Sequence, residues 1–268
     1  MDRREVALPL TEYQAELARL LSANRSFDSY LAGGAAILIE PNTDRYSRDL
    51  DYFHDSEARV AAAFAADRET LDAAGYDLQV GLEQPGYVRA IVRHDGEATK
   101  VEWSRDSAWR FLPTVRDERV GYLLHPVDLA VNKVLALAGR DEPRDVLDTL
   151  HVHRNVLALG PVCWAACGKD PGFTPLSLLE LLRRRGRIRP EDLERLDLAR
   201  PVDLTALKQE WLEALDSVEP LVASRPPDEI GCLYYSPSRR SFVDPREADD
   251  AVPHYGRPGG VLPRVGDD

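Results

Sequence analysis

The sequence predicts an α+β protein in which a mixed or antiparallel sheet with helices is followed by a helical C-terminal region. Three strand-like runs fall within 76–104, and Asp95-Gly96 between the second and third is a strong hairpin turn. The alanine-rich segment 57–74 has helical composition. From residue 125 onward the apolar residues recur mainly at helical spacing. Strands followed by helices are typical of the α+β class.

The elements follow in order along the chain. Thr11-Glu12-Tyr13-Gln14 reads as a capping box, and the helix it begins is expected to end near Asn24. A strand, a Gly-Gly turn, a short helix and a second strand are predicted within 30–53. The remaining predicted strands cover 76–82, 87–94 and 98–104, and the predicted helices cover 57–74, 127–138, a segment starting near Asp141, 176–185, 190–198 and 204–215.

We expect three regions. Residues 1–124 are expected to form a core domain, and 125–225 a helical domain that completes its binding site. Pro226-Pro227 marks the next boundary, and a hairpin is predicted from two strand-like runs that flank a Ser-Pro-Ser-Arg-Arg turn. The rest of 226–268 is rich in Gly, Pro and Asp, so we expect it to be extended or disordered unless it packs as an arm.

Composition narrows the class of protein. The 268 residues are 44% hydrophobic and 30% charged, which is a soluble globular balance. No apolar run approaches the roughly 20 residues of a membrane helix, and the N-terminus has no signal-peptide core, so a cytoplasmic protein is expected. The formal net charge of -12 argues against broad nucleic-acid binding but allows a local basic patch. The three cysteines form no metal or disulfide framework.

The stretch 30–53, YLAGGAAILIEPNTDRYSRDLDYF, carries the chemistry. Residues two apart on a strand point the same way, so Ser47, Asp49 and Asp51 are expected to share one face. Two neighbouring carboxylates repel each other unless a cation lies between them, and Mg²⁺ or Mn²⁺ prefers such oxygen ligands. Gly33-Gly34 ahead of a helix would let backbone N–H groups approach a phosphate closely.

Gly-Gly, a spacer and Ser-x-Asp-x-Asp resemble the nucleotidyltransferase fold of the DNA polymerase β superfamily. The segment Arg45-Tyr46-Ser47-Arg48-Asp49-Leu50-Asp51 most resembles the AbiEii/AbiGii toxins of type IV toxin–antitoxin systems. The resemblance covers about 25–160 and implies a third carboxylate on a later strand. Glu102 is the candidate, because Val101 and Trp103 share one face of their strand and leave Lys100 and Glu102 on the other. A solvated glutamate is the alternative.

A lysine in an apolar helix is the second notable feature. The segment 127–138 is apolar on all sides, yet it contains Lys133, and a buried lysine needs an anionic partner. Arg140 follows one heptad later. On the next helix Asp145 and Asp148 lie three residues apart and share a face. The spacing leaves open which aspartate is the acidic partner, and an internal salt bridge is the alternative to a ligand site.

This segment also resembles the AbiEii family, whose members carry a lysine helix, a nearby arginine and an Arg-Asp-x-x-Asp-like helix against the nucleotide. The resemblance implies that Lys133 binds phosphate with Asp145 or Asp148 as its acidic partner. The implied catalytic set is Asp49, Asp51, Lys133 and Asp148. The implied metal ligands are Asp49, Asp51 and Glu102, and the implied nucleotide contacts are Gly33, Gly34, Ser47, Arg140 and Asp145.

The resemblance implies a metal-dependent transfer of a nucleoside monophosphate from an NTP to an acceptor. The first interpretation is a toxin that modifies an RNA or protein acceptor, with the tRNA 3′ end as a target class, and that is silenced by an antitoxin protein or its regulator. The arginine-rich segment Arg183–Arg189 is the candidate RNA contact, or else a solvated helix end. The alternatives are a small-molecule nucleotidyltransferase of the aminoglycoside-modifying type, and a non-catalytic nucleotide-binding protein with this fold. The P-loop pattern is absent from the sequence.

Overall fold

A computed structural model describes residues 10–37, 44–140 and 142–263. The helices are α1 Glu12–Leu21, α2 Gly33–Ile37, α3 Glu57–Ala73, α4 Pro126–Gly139, α5 Pro143–Asn155, α6 Leu159–Lys169, α7 Pro175–Arg185, α8 Pro190–Glu194, α9 Leu204–Asp216 and α10 Val218–Ser224. The strands are β1 Ser29–Ala32, β2 Asp49–His54, β3 Asp77–Gln84, β4 Tyr87–His94, β5 Glu97–Arg105, β6 Trp109–Arg110, β7 Val115–Asp117, β8 Gly121–Leu123, β9 Leu233–Ser236, β10 Ser241–Phe242, β11 Val252–His254 and β12 Arg257–Pro258.

The chain divides into two compact units. Unit 1 comprises Met1–Ala108 and Pro113–His125, and unit 2 comprises Trp109–Leu112 and Pro126–Asp268. Unit 1 contains a mixed seven-stranded sheet in the order β3-β4-β5-β2-β1-β8-β7. Strand β2 pairs antiparallel with β1 and parallel with β5. The strand that ends the motif, β2, is therefore central to the sheet.

The apolar face of β2 and β5 forms the core of unit 1. Leu50 and Tyr52 are fully buried on β2, as are Val101 and Trp103 on β5. Helix α3 packs on this face, where Phe64 meets the Trp103 ring edge to face with centroids 5.0 Å apart. The alternation of buried and half-buried residues along β2 sends Asp49 and Asp51 to the opposite face of the sheet.

Local sequence signals explain several of the element boundaries in unit 1. The capping box at the start of α1 is confirmed, since the backbone N–H of Gln14 donates to Thr11 Oγ1 and that of Thr11 donates to Gln14 Oε1, both at 3.1 Å. The hairpin between β4 and β5 turns at Asp95-Gly96, where both residues have positive φ. Gly75 ends the α3 turn with a φ of 78°. These positions follow from capping and turn chemistry.

Unit 2 is built mainly from helices. Helix α4 packs against α5, α6 and α7, and its apolar composition matches this burial. Strand β9 lies between β10 and β11 in an antiparallel sheet, and β12 pairs with β6. A buried cluster of Trp164, Leu221, Cys232 and Tyr234 joins α6 and α10 to the segment around β9.

Two expectations differ from the structure, one is decided between its two alternatives, and one lies mostly outside the described residues. Ser47 precedes β2 instead of lying on it, because the strand begins at Asp49. Helix α8 ends at Glu194, well short of residue 198. The tail packs as an arm, since β11 and β12 both find strand partners. The polar turn expected at 41–44 lies outside the described residues except for Asp44.

Candidate functional site

Two carboxylates project from the same face of β2. Asp49 and Asp51 are half-buried, whereas the intervening Leu50 and the following Tyr52 are fully buried. The strand is held on both sides by neighbouring strands, so the spacing of the two carboxylates is set by the backbone. This is the arrangement that the alternation in the sequence predicts.

The third expected carboxylate lies on the adjacent strand. In the parallel pairing of β2 and β5, Asp51 is aligned with Glu102 and Asp49 with Lys100. Neighbouring strands are about 4.8 Å apart, so aligned residues on one face are close neighbours. The sheet therefore brings Asp49, Asp51, Glu102 and Lys100 to one face of unit 1.

Lys100 is a site residue that sequence reasoning missed. Its ammonium Nζ lies 3.0 Å from Asp49 Oδ2 and 2.9 Å from Glu102 Oε1, so it bridges the two carboxylates. Partial burial acts to lower the pKa of Lys100, but its hydrogen bonds to Glu102 and Asp49 outweigh burial and raise that pKa. The alternation placed Lys100 beside Glu102, but only the parallel register shows that it faces Asp49.

The two glycines make room for the side chains of this site. Gly33 has a φ of 64°, and a Cβ there would lie 2.0 Å from Asp51 Oδ2. A Cβ on Gly34 would lie 2.9 Å from Arg45 Nη2 and 3.2 Å from Ser47 Oγ. Position 33 therefore requires glycine because of a contact within the protein itself, since the Asp51 carboxylate lies against the β1–α2 turn. The phosphate contact expected of both glycines stays a prediction.

Ser47 and Arg45 line the approach to β2. Both side chains are buried, and Ser47 Oγ donates to the carbonyl oxygen of Asp49 at 3.0 Å. Arg45 Nη1 donates to the carbonyl oxygen of Tyr46 at 3.0 Å. Ser47 therefore fixes the first turn of backbone before the strand, and the nucleotide contact implied for it stays a prediction. Arg45 is a second cation near this site that the sequence reasoning did not single out.

The donor chemistry of this face suits a divalent cation. Asp49, Asp51 and Glu102 offer only carboxylate oxygens, which hard cations prefer, and Gly33 leaves space for the Asp51 carboxylate. Among the described residues, however, no three acidic, His or Cys side chains are grouped closely enough to hold a metal ion. The Lys100 ammonium contacts two of these three carboxylates, those of Asp49 and Glu102. The residue types fit a divalent cation, and metal binding at this face stays a prediction.

A second group of charged residues lies in unit 2. Lys133 Nζ on α4 donates to Asp148 Oδ2 on α5 at 2.5 Å, and both side chains are buried. Arg140 makes a two-pronged contact with Asp145, with Nε to Oδ2 at 2.6 Å and Nη2 to Oδ1 at 2.9 Å. The structure thus pairs Lys133 with Asp148 and Arg140 with Asp145. The sequence could not decide whether Asp145 or Asp148 is the acidic partner, and in the structure each of them pairs with a different cation.

The arginine-rich segment Arg183–Arg189 at the end of α7 is largely paired with acids. Arg183 Nη1 lies 2.8 Å from Glu219 Oε1, and Arg184 forms an ion pair with Glu180. Arg189 Nε lies 3.3 Å from Asp192 Oδ2. Three of the five arginines therefore have acidic neighbours within unit 2. The RNA contact proposed for this segment stays a prediction.

Comparisons with known proteins identify the fold. The sequence matches no known protein family and no curated protein. The structure is similar to MenT4, a nucleotidyltransferase toxin from Mycobacterium tuberculosis H37Rv, with a TM-score of 0.53 and 19% identity over 77% of this chain and 82% of that one.

Two Helicobacter pylori structures also match. One is a candidate nucleotidyltransferase, with a TM-score of 0.48 and 16% identity over 80% of this chain and 98% of that one. The other is JHP933, with a TM-score of 0.47 and 16% identity over 81% and 95%. In the part of the chain that the structure describes, no helix is both long and apolar enough to cross a membrane. The likeness to MenT4 shows that the chain has the nucleotidyltransferase fold.

Proposed function

We propose that the chain transfers a nucleoside monophosphate from an NTP to an acceptor hydroxyl and releases pyrophosphate. One observation carries the proposal. On a sheet of the nucleotidyltransferase fold, Asp49 and Asp51 share a face with Glu102 in register beside them. Carboxylates that are held this closely on rigid strands suit the binding of a divalent cation, which would balance negative charge at a phosphate.

The reaction sets the roles of the residues. The acceptor oxygen forms a bond to the α-phosphorus, the bond from that phosphorus to the bridging oxygen breaks, and the hydroxyl proton is released. A divalent Mg²⁺ or Mn²⁺ ion would stabilise charge on the attacking and leaving oxygens. Asp49 and Asp51 would hold that ion, and Glu102 would join them once it is released by Lys100. Lys100 is placed to bind a phosphate, because its long flexible side chain carries the charge.

We propose RNA as the acceptor, with the tRNA 3′ end as the first substrate to test, and a toxin activity controlled by an antitoxin protein or its regulator. The likeness to MenT4 supports the toxin proposal, together with the AbiEii-like motif at 45–51. A cytoplasmic location follows from such a role. The phosphate-binding role that the resemblance gives Lys133, with Arg140 and Asp145 or Asp148, belongs to the same proposal.

A small-molecule acceptor is the second candidate, and one observation favours it. Arg183, Arg184 and Arg189 are engaged by acidic side chains, and the whole chain carries a net charge of -12. An RNA backbone would have to compete with those carboxylates for the arginines. A small polycationic acceptor such as an aminoglycoside would meet no such obstacle on an acidic protein.

The test incubates the protein with each α-labelled NTP, Mg²⁺ or Mn²⁺, and either total cellular RNA or aminoglycosides. Label in RNA supports the first acceptor, and label on an aminoglycoside supports the second. Asp49→Asn should abolish transfer while the protein stays folded, because the substitution removes one charge from an acidic cluster. Transfer that persists in Asp49→Asn would overturn the site assignment. Label on neither acceptor with any NTP would favour a non-catalytic nucleotide-binding protein.

A further inference from the structure

We propose that Lys100 is a resident counter-cation that competes with a divalent metal ion for Asp49 and Glu102 and moves to the phosphates when a nucleotide binds. Metal and nucleotide binding would then be coupled through one side chain. The inference rests on the proposed function for the identity of the nucleotide. It deepens that proposal by assigning a positioning role to a lysine outside the motif at 45–51.

The register of two strands carries the first step. Lys100 on β5 is aligned with Asp49 on β2, and Glu102 lies two residues further along β5 on the same face. A single ammonium therefore reaches one carboxylate across the strands and one along its own strand. The distances of 3.0 Å to Asp49 and 2.9 Å to Glu102 are those of charge-assisted hydrogen bonds.

The second step is the overlap of the two sites. A divalent ion that binds Asp49 and Glu102 needs the carboxylate oxygens that Lys100 holds, namely Asp49 Oδ2 and Glu102 Oε1. Occupation of both positions would bring the ammonium of Lys100 to contact distance of the divalent ion, and like charges that close repel each other. Lys100 must therefore leave at least one oxygen before the metal can bind with full strength.

The third step concerns where the Lys100 ammonium can move when it leaves the carboxylates. The side chains of Asp49, Glu102 and Lys100 are 16%, 19% and 29% exposed, so the ammonium lies at an accessible surface. A lysine has a flexible four-carbon stem and can turn its ammonium toward a phosphate at little steric cost. A bound triphosphate supplies that anion, so nucleotide binding should free the carboxylates for the metal. Coupling of this kind is reciprocal between the two ligands.

The experiment measures two affinities in Lys100→Met, which keeps the length of the side chain and removes its charge. Mn²⁺ binding is measured calorimetrically with no nucleotide present, and inorganic triphosphate binding is measured in EDTA with no metal. We expect Mn²⁺ to bind at least about tenfold more tightly in Lys100→Met than in the unmodified protein. We expect triphosphate to bind severalfold more weakly. The opposite signs are the signature, because a merely structural lysine would lower both affinities on removal.

Lys208→Met is the matched control, since Lys208 is exposed on α9 in unit 2, and it should change neither affinity. Lys100→Gln provides a second neutral variant should Lys100→Met fold poorly, and Mn²⁺ should raise its melting temperature more than that of the unmodified protein. An unchanged Mn²⁺ affinity, or an unchanged triphosphate affinity, overturns the proposal. Both readouts are independent of transfer, so a chain that labels no acceptor could still show the opposite shifts.

Discussion

The two lysine-centred ion pairs of this protein differ in balance and in burial. In unit 1, the single ammonium of Lys100 is shared by Asp49 and Glu102, and all three side chains retain some exposure. In unit 2, Lys133 forms an ion pair with Asp148, and these side chains are 7% and 0% exposed. The first group has more acid than base at a surface, and the second is neutral as a pair and closed to water.

This difference indicates which group contributes to stability and which to binding and activity. A partly exposed ion pair adds little to stability, because water and salt screen it, but its surplus of carboxylate can accept another cation. A buried pair costs desolvation free energy to form, and removal of one partner leaves an uncompensated charge in the interior. We therefore expect substitutions near Lys100 to affect binding and activity. Substitutions near Lys133 should affect stability first.

The largest effect is expected for Asp51→Asn in unit 1. Loss of one carboxylate from the site should lower transfer by about 10³-fold, because charge stabilisation of a transition state is worth several kcal/mol. The free energy of unfolding should change by less than about 0.5 kcal/mol, because the asparagine keeps the shape that fits beside Gly33. Transfer and urea unfolding measured on the same preparation test both statements.

Asp77→Asn is the matched control for Asp51→Asn, because Asp77 is an exposed aspartate at the edge strand β3 of the same sheet. It should leave both transfer and stability unchanged. A large loss of stability in Asp51→Asn would contradict the comparison. It would show that the partly exposed group contributes as much to the free energy of unfolding as we expect only of the buried pair.

The next largest effect is expected for Asp148→Asn in unit 2. The substitution leaves the Lys133 ammonium buried without its carboxylate, so the free energy of unfolding should fall by about 3–5 kcal/mol in urea titrations. Asp216→Asn, at an exposed position of α9, should cost less than about 0.5 kcal/mol. Replacement of both partners, as Lys133→Met with Asp148→Leu, should recover much of the loss.

The resemblance to AbiEii toxins predicts a different result for the same lysine. If Lys133 is a phosphate ligand, Lys133→Ala should weaken NTP binding sharply and leave the stability of the protein unchanged or raised. Unchanged NTP affinity with a large loss of stability would support the internal salt bridge. Measurement of both quantities on Lys133→Ala therefore decides whether the contrast between the two lysines is one of function or only of burial.

A smaller effect is expected from pH in unit 1. Both ring nitrogens of His54 on β2 are buried and have no hydrogen-bond partner among the described residues. Burial lowers the pKa of His54 to about 3, helped by the charges of Arg25 and Arg59 and opposed by Asp28. Between about pH 6.5 and 3 His54 is protonated in the unfolded chain but not in the folded protein, so stability falls as the pH falls.

The expected loss between pH 7 and pH 5 is about 2 kcal/mol from His54 alone. Hydrogen exchange of the β2 amides at the two pH values, corrected for intrinsic rates, measures it. His54→Leu should remove most of this pH dependence, because leucine fills a similar volume without a titrating group. An equal loss in His54→Leu would show that other groups dominate the acid sensitivity of unit 1.

One carboxyl group of unit 2, that of Asp128, should respond to acid in the opposite direction. Burial raises the pKa of Asp128 on α4 to about 6, although the backbone N–H groups of Phe111 and Leu112 donate to its carboxylate and oppose the rise. The folded protein then binds this proton before the unfolded chain does. From pH 7 to pH 5 Asp128 should contribute a gain of about 1 kcal/mol, measured as the difference between the unmodified protein and Asp128→Asn in the exchange of α4 amides. Equal pH dependence in the two proteins would contradict this assignment.

Most of what the sequence predicted is local in origin. The Thr11 cap, the Asp95-Gly96 turn and the alternation of Asp49 with Leu50 depend on neighbours within a few residues, and the structure confirms them. Lys100 was missed because its contact with Asp49 depends on the register of two strands about 50 residues apart. Hydrophobic alternation assigns a face of a strand, but it does not say which residue of another strand lies opposite.

The unit 2 pairings and the tail show the same limit. The helical spacing placed Asp145 and Asp148 on one face, but which of them meets Lys133 depends on how α5 docks on α4. The tail was expected to be extended or disordered unless it packed as an arm. Its strands pair through backbone hydrogen bonds with β9 and β6, which composition does not reveal.

The smallest effect is expected at a third group of charges, the arginine-rich segment Arg183–Arg189. Each neutralised phosphate of a single strand contributes about 0.7 to the slope of log affinity against log salt, so loss of three free arginines would lower it by about 2. Arg184 is already paired with Glu180 and must give up that contact to bind a phosphate. The triple variant Arg184→Ala, Arg185→Ala and Arg187→Ala should therefore lower the slope for RNA by only about 1.4, the share of two arginines.

Salt titrations of RNA binding test this, with Arg68, Lys208 and Arg240 replaced together by alanine as a control for the loss of three exposed cations. The control should change the slope little, because those residues lie on separate elements and cannot follow one backbone together. NTP binding should be the same in both triple variants, since neither touches the carboxylates of β2. Equal slopes in the unmodified protein and the Arg184 variant would remove the RNA role of this segment. The acidic neighbours of Arg183, Arg184 and Arg189 would then account for the segment as a solvated, internally neutralised helix end.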